Sequence, residues 1–444
     1  MRRLLIAVAL FAAVGAAAYL IGSRGNLSAG AAPELAGAPA TAAVLARGEY
    51  LAKAAGCIAC HTVPGSEKPF AGGVGFSLAF GTLYSTNITA DGETGIGSWS
   101  DDEFVRALHD GVRKDGRHLY PVFPYTSYTK LSRSDVLAIK TYLFSLPAIR
   151  QANRPNDLRF PFDQRWAVGF WKAAFFRNQR FVADSSKSSQ WNSGAYLATA
   201  LGHCGECHTP RNFAFGLEHS REFAGEEILG WRAYNITPDP EHGIGSWSDD
   251  DIARYLTLGH ADGRGSASGP MGEAVANSLQ YLNPSDTAAL VAYLRDMPAR
   301  KGDHPTDIDA RPAPAMASTG LGPGPEAAGA NSQGRQLFEG ACASCHLWNG
   351  AGLESRYAAL LGTRAVNDLS GVNVTEAILY GADFKIGDRE VFMPPFGAGY
   401  SNSEVAALTN YVIAHFGNKH SRVTPDDVAR LTRNTQTGSY RNSR

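Results

Sequence analysis

Cys57-Ile58-Ala59-Cys60-His61, Cys204-Gly205-Glu206-Cys207-His208 and Cys342-Ala343-Ser344-Cys345-His346 are three copies of one pattern, C-x-x-C-H. Together they use all six cysteines of the chain. Two thiols three residues apart stand on one turn, where they can add to the two vinyl groups of a haem; the adjoining histidine then reaches the iron from the proximal side. A disulfide pair, a redox Cys-x-x-Cys and half of a zinc site share part of this spacing. The complete motif, three times over with no cysteine to spare, sets them aside. Three covalently attached haems c are therefore expected, held by Cys57, Cys60, Cys204, Cys207, Cys342 and Cys345, with His61, His208 and His346 on the irons.

Working outward, the segment 84–102, YSTNITADGETGIGSWSDD, returns as YNITPDPEHGIGSWSDD ending at Asp250. Asn87, Trp99 and Asp102 map onto Asn235, Trp247 and Asp250 at a constant offset, so the first two motifs sit in duplicated units. The third unit lacks this insertion. In all three, a stretch with helical spacing leads into the cysteines, starting at Gly48, Gly194 and Gly334. Another closes the unit, carrying Leu137, Ile139 and Tyr142; Leu290, Val291 and Tyr293; Leu408, Tyr411 and Val412. Helix start signals precede the closing stretches: Ser132-x-x-Asp135, Asn283-x-x-Asp286 and Ser401-x-x-Glu404. Strand patterns are weak throughout. The expected fold is all-α, three tandem cytochrome c domains with long loops, at 41–150, 189–299 and 332–417.

The 444 residues are too many for one core, and 44% hydrophobic with 19% charged residues supplies apolar mass for several. With 41 basic against 42 acidic residues there is no electrostatic case for a nucleic-acid partner. In the 1–40 segment, Arg2 and Arg3 lead an uncharged run from Leu4 to Ser23, read as a membrane anchor or an export signal. Either way the rest of the chain is expected outside the cytoplasm. The connector 151–188 is dense in aromatics from Phe160 to Phe181 and is expected to pack between the first two units, with a docking surface as the alternative. The Pro/Gly/Ala-rich stretch 300–331 reads as a linker that leaves the third unit mobile, and 418–444 as a loose polar tail.

A six-coordinate haem needs a distal ligand, and methionine sulfur serves where the potential is raised. Met393 sits in a Pro-bounded loop ahead of the third closing helix, and Met271 in Gly269-Pro270-Met271 ahead of the second; Met297 reads as core. In the first unit the repeat places Phe123 opposite Met271. His118, in the same loop, is the preferred ligand there, with His109 or an open iron as alternatives. The acidic pairs Asp101-Asp102 and Asp249-Asp250 read as helix N-terminal charges rather than acid/base catalysts. No nucleotide-cradling glycine loop and no spare nucleophilic cysteine is present, so an electron carrier is favoured over an enzyme. A haem peroxidase or gas sensor using an open iron in the first unit is the rival.

The three haem motifs, Asn-Ile-Thr followed by Gly-Ile-Gly-Ser-Trp-Ser-Asp-Asp, Leu-Tyr-Pro-x-Phe-Pro-Tyr at 119–125 and Gly-Pro-Met-Gly-Glu at 269–273 carry a resemblance. Over residues 45–417 the chain resembles the trihaem cytochrome c subunit of bacterial membrane-bound dehydrogenases, a family serving alcohol, gluconate and sorbitol dehydrogenases and molybdenum hydroxylases. Phe123, where many alcohol dehydrogenase members carry Met, resembles the branch that serves hydroxylases of aldehydes, nicotinate or isoquinoline. The resemblance implies a catalytic dehydrogenase partner of flavin, quinone or molybdenum type. It also implies electron delivery to ubiquinone or a terminal cytochrome acceptor, at the periplasmic face of the inner membrane.

Overall fold

Three helix pairs set the architecture of the computed structural model, which describes residues 41–302, 332–353, 355–417 and 419–438. Ala42–Ala54 crosses Arg133–Ser145, Ser189–Tyr196 crosses Pro284–Asp296, and Ser332–Ala341 crosses Asn402–Gly417. A glycine makes each crossing. A Cβ on Gly48 would fall 2.0 Å from the Ala138 carbonyl oxygen, on Gly194 1.9 Å from that of Ala289, and on Gly334 2.3 Å from that of Ala407. Only a hydrogen fits, so opening and closing helices meet backbone to backbone. The expected start signals operate: Ser132 Oγ accepts from Asp135 N at 3.1 Å, Asn283 Oδ1 from Asp286 N at 2.8 Å, and Ser401 Oγ from Glu404 N at 3.3 Å.

The repeated segment is a structural clasp. Asn87 Oδ1 accepts from Thr89 N and Oγ1 at 2.9 and 2.7 Å while its Nδ2 donates to Ile149 O at 2.7 Å. Asn235 repeats this with Thr237 and Arg300 O. Each buried asparagine thus ties its loop to the chain leaving the closing helix. Ser100 with Glu103 and Ser248 with Asp251 form capping boxes for the helices Asp101–Asp110 and Asp249–Leu258, and the acidic pairs Asp101-Asp102 and Asp249-Asp250 stand in the same first turns.

The fold is mostly helical, but the all-α expectation is corrected by a sheet component. Among the described residues there are one three-stranded and three two-stranded antiparallel sheets. Gly75–Leu78 pairs with Gly81–Tyr84, Glu226–Ile228 with Trp231–Ala233, and Ala382–Ile386 with Arg389–Met393. At two to five residues these strands are too short to show an alternating pattern.

The first two units share one core, from Leu51 and Leu143 to Leu201 and Leu290. Their contacts are reciprocal. The Tyr50 hydroxyl donates to Asp286 of the second closing helix, and the Tyr196 hydroxyl donates to Asp135 of the first at 2.7 Å. Equivalent residues exchange equivalent bonds, as across a two-fold interface.

The connector touches both of the first two units, with Phe176 edge-on to Tyr125, Trp171 Nε1 donating to Ala214 O at 2.8 Å and Phe181 edge-on to Tyr196, while Phe160, Trp166 and Phe170 stay exposed. Two organisational expectations change. The third unit is anchored on the second rather than mobile. Arg232 pairs with Asp368 at 2.9 Å, Gln280 Nε2 donates to Lys385 O at 3.1 Å, and Phe384 lies against Gly272. The tail is not loose, because Pro425–Gly438 is a helix whose Val428 and Leu431 are fully buried, a one-turn apolar stripe within a polar sequence. The anchor or signal segment 1–40 and most of the expected linker, 303–331, lie outside the described residues. Among those residues no helix is long and apolar enough to cross a membrane.

Candidate functional site

The three motifs fold as single helical turns, Cys57–His61, Gly205–His208 with Cys204 just ahead, and Ala343–His346 with Cys342 just ahead. No disulfide joins any of the six cysteines. Apolar burial pushes the Cys57 and Cys204 thiols up to about 12 and those of Cys207 and Cys342 up to about 11. That environment keeps them as neutral thiols. Among the described residues no cluster of three or more His, Cys, Asp or Glu side chains is arranged to hold a metal ion.

The three histidines share one geometry. His61 Nδ1 lies 2.7 Å from Thr86 O, His208 Nδ1 2.6 Å from Tyr234 O, and His346 Nδ1 2.6 Å from Ala358 O. A ring nitrogen this close to a carbonyl carries the proton and donates, which leaves Nε2 with its lone pair. Burial lowers the pKa of all three, that of His208 to about 4, so the rings stay neutral. A fixed neutral imidazole with a free Nε2 is the donor that haem iron takes.

These groups line one continuous cavity of about 2800 Å³ that runs through all three units. Pockets for single small ligands rarely exceed about 1,000 Å³, so the space suits more than one large group. Its walls include all six cysteines and the three motif histidines, with apolar side chains such as Leu83, Ile139, Trp247, Leu294 and Val412. The residues fit covalently held haem: thiol pairs, a proximal imidazole and an apolar enclosure.

Met271 and Met393 both line the cavity. Met271 stands in the first turn of the helix Gly269–Asn277, where Gly269, at φ +50°, packs flat on the Trp231 indole. Met393 ends the strand Arg389–Met393, whose turn back is sealed by Gly381 against the Met393 carbonyl. Met297 is buried at the end of its helix and away from the cavity wall.

The structure does not bring His118 to the cavity. His118 pairs in an antiparallel bridge with Val112, and along such extended chain side chains alternate, so Leu119 points in and His118 out. Its ring rests over Gly169 and its Nδ1 is 3.3 Å from Lys172 Nζ, on the connector helix Ala167–Phe175. Phe123 lines the cavity with its ring edge-on to Tyr128, 5.5 Å between centroids. His109 is buried away from the wall.

Two wall residues have no signal in the sequence pattern. His203, adjacent to Cys204 with φ +40°, sets its ring edge-on to Tyr128 between the first two motifs. Arg364 enters from the third unit and donates to the Asn235 and His242 carbonyls of the second. Neither belongs to a motif, and long-range placement alone makes them visible.

Comparison with known proteins agrees with this chemistry. The cytochrome c family model matches residues 332–414. The chain is 38% identical over 406 residues to the fructose dehydrogenase cytochrome subunit of Gluconobacter japonicus, covering 87% of this chain and 82% of that protein. It is 34% identical over 418 residues to the gluconate 2-dehydrogenase cytochrome c subunit of Pantoea cypripedii, covering 89% and 91%. A 38% match over 383 residues to a nicotinate dehydrogenase chain of Pseudomonas putida covers 85% of this chain and 30% of that longer protein. The chain therefore belongs to the family of dehydrogenase cytochrome c subunits, which transfer electrons within a dehydrogenase complex and leave substrate oxidation to a partner.

Proposed function

We propose that this subunit carries three covalently attached haems c and relays electrons from a catalytic dehydrogenase subunit to ubiquinone or a terminal cytochrome acceptor, at the periplasmic face of the inner membrane. The observation that carries the reading is the threefold recurrence of a buried histidine whose Nδ1 is held by a backbone carbonyl at 2.6–2.7 Å, beside a thiol pair on one shared cavity. Haem iron, when bound, supplies one-electron ferric/ferrous chemistry. The chain's own residues hold and tune it. Cys57, Cys60, Cys204, Cys207, Cys342 and Cys345 provide thioether anchors, His61, His208 and His346 proximal nitrogens, and Met271 and Met393 distal sulfurs for the second and third haems. For the first haem the proposal leaves out His118, given its outward position, and assigns the distal side to Phe123.

The partner is read as a flavin, quinone or molybdenum dehydrogenase. Attachment to the membrane rests on the uncharged run Leu4–Ser23 and on the exposed rings of Phe160, Trp166, Phe170 and Phe213. Pyridine haemochrome assay and intact mass on the purified protein should agree on three haems per chain. Two haems, or haem extracted by acid acetone, would overturn the reading, since thioether-linked haem stays with the protein. Purification from detergent-solubilised membranes should bring down the dehydrogenase subunit.

A further inference from the structure

The seam between the second and third units buries two guanidinium groups and one carboxylate. Asp368, 1% exposed, is committed to Arg232, whose Nη1 donates to its two oxygens at 2.9 and 3.1 Å, and it also accepts from the Tyr234 hydroxyl at 3.3 Å. Arg364, 7% exposed, has no such partner. Its Nη1 donates to Asn235 O at 3.0 Å, its Nη2 to His242 O, and its guanidinium lies 4.4 Å from the centroid of the Tyr234 ring. Among the described residues no carboxylate stands within ion-pair distance of it, and its Nε is buried without a hydrogen-bond acceptor. Burial pulls its pKa down to about 10, a cost that nearby Tyr234, Tyr255 and Asp368 offset only in part.

A buried guanidinium without a direct ion-pair partner is costly, so a closer anion is the physical question the site poses. Arg364 lines the cavity, and the ring beneath it belongs to Tyr234, whose carbonyl holds His208. A carboxylate that enters with the group filling the cavity would supply that anion. Haem carries two such groups as propionates, and a guanidinium meets a carboxylate with short, charge-assisted bonds.

We propose that Arg364 is the counter-ion of a haem propionate at this seam, so that the third unit supplies the charged wall of a haem pocket built mainly by the second. The inference rests on the haem reading above and adds a coupling between units. A guanidinium beside the haem opposes the extra positive charge of ferric iron. It therefore holds that haem's potential up, and undocking the third unit would lower it.

The test uses the full-length holoprotein with Arg364→Gln and Arg364→Lys, each checked first for haem content. In potentiometric titration Arg364→Gln should shift the ferric/ferrous equilibrium of one haem about tenfold toward ferric, about 59 mV for one electron. It should also make that potential newly dependent on pH as the unpaired propionate takes up a proton. Arg364→Lys, which keeps the charge, should retain most of the wild-type potential. Repeating the titration in Met271→Ala and Met393→Ala backgrounds separates the two sources of propionate: coincidence with the haem altered by Met271→Ala supports the second unit's pocket, and coincidence with that altered by Met393→Ala overturns it. Unchanged potentials in Arg364→Gln with all haems in place would show that the residue only stitches carbonyls across the seam. A wild-type haem count below three would strike at the underlying haem reading instead.

Discussion

At the scale of single residues, the proximal and distal sides of the cavity are built by different means. Each proximal histidine is oriented by a carbonyl 12 to 26 residues further along the same unit, so its donor atom is set locally. Met271 and Met393, proposed as the distal ligands, are set by their neighbours' packing, Met271 through Gly269 on Trp231 and Met393 through the hairpin with Ala382–Ile386. Met271→Ala and Met393→Ala should each weaken the long-wavelength Met–iron absorption and lower one haem potential, because thioether ligation favours ferrous iron. Spectroelectrochemistry of the single and double variants should show two separate effects. His118→Ala should leave the visible spectrum and all potentials unchanged, and a new high-spin signal in that variant would restore His118 as a ligand. His109 sets a pH dependence of another kind. Burial, reinforced by Arg180, lowers its pKa to about 4, so between pH 4 and its ordinary value near 6.5 the unfolded chain binds more protons than the folded one. The stability it protects is whole above about pH 6.5 and drains as pH falls toward 4, by up to about 1.4 kcal/mol per pH unit. Thermal melts across this range should show a shallower acid slope in His109→Gln than in wild type.

At the scale of elements, the helix pairs depend on glycines that the sequence displays but does not explain. Gly48, Gly194 and Gly334 mark the leading helices in the sequence, and the structure shows that each is the point where a partner backbone arrives. Gly194→Ala places a methyl inside the Ala289 carbonyl and should destabilise the second unit by about 3 kcal/mol or prevent its folding. Ala289→Gly, which enlarges nothing at the contact, should not rescue it; a calorimetric scan of both variants decides. The closing helices were legible because capping residues and apolar spacing agree within about ten residues of one another. The hairpins were not, since strands such as Trp231–Ala233 are fixed by turn backbone at Leu229 and Gly230, both at positive φ, and by packing against the third unit. The tail helix escaped for a similar reason, as Val428 and Leu431 become an apolar face only beside the core of the third unit.

At the scale of the whole molecule, the first two units behave as an internal two-fold pair, through the Tyr50–Asp286 and Tyr196–Asp135 bonds. The third is fastened to the second by a buried ion pair. Removing one member of such a pair strands the other charge, and Asp368 is the carboxylate paired with Arg232 at this seam, where the more exposed pair Arg430–Glu227 also crosses. Asp368→Asn should cost about 3 to 5 kcal/mol and appear as a separate, lower melting step for the third unit, whereas replacing the exposed pair Arg150–Glu93 should change little. A single melting step at the wild-type temperature in Asp368→Asn would show that the seam does not depend on the pair.

The sequence by itself determined the covalent chemistry, the duplication of the first two units, the helix pairs and the family, because each is written in residues close together along the chain. A Cys-x-x-Cys-His turn, a capping serine or a repeated Asn-Ile-Thr needs no distant partner to be recognised. Only the tertiary structure decided that His118 faces the connector, that the third unit is docked, and that Arg364 reaches the second unit's loop from 122 to 129 residues away. Those outcomes depend on which faces remain unburied once the local elements have formed. Side-chain direction in a two-residue bridge, or the pairing of Asp368 with Arg232 while Arg364 meets carbonyls, follows from packing over long sequence separation, and local pattern carries no record of it.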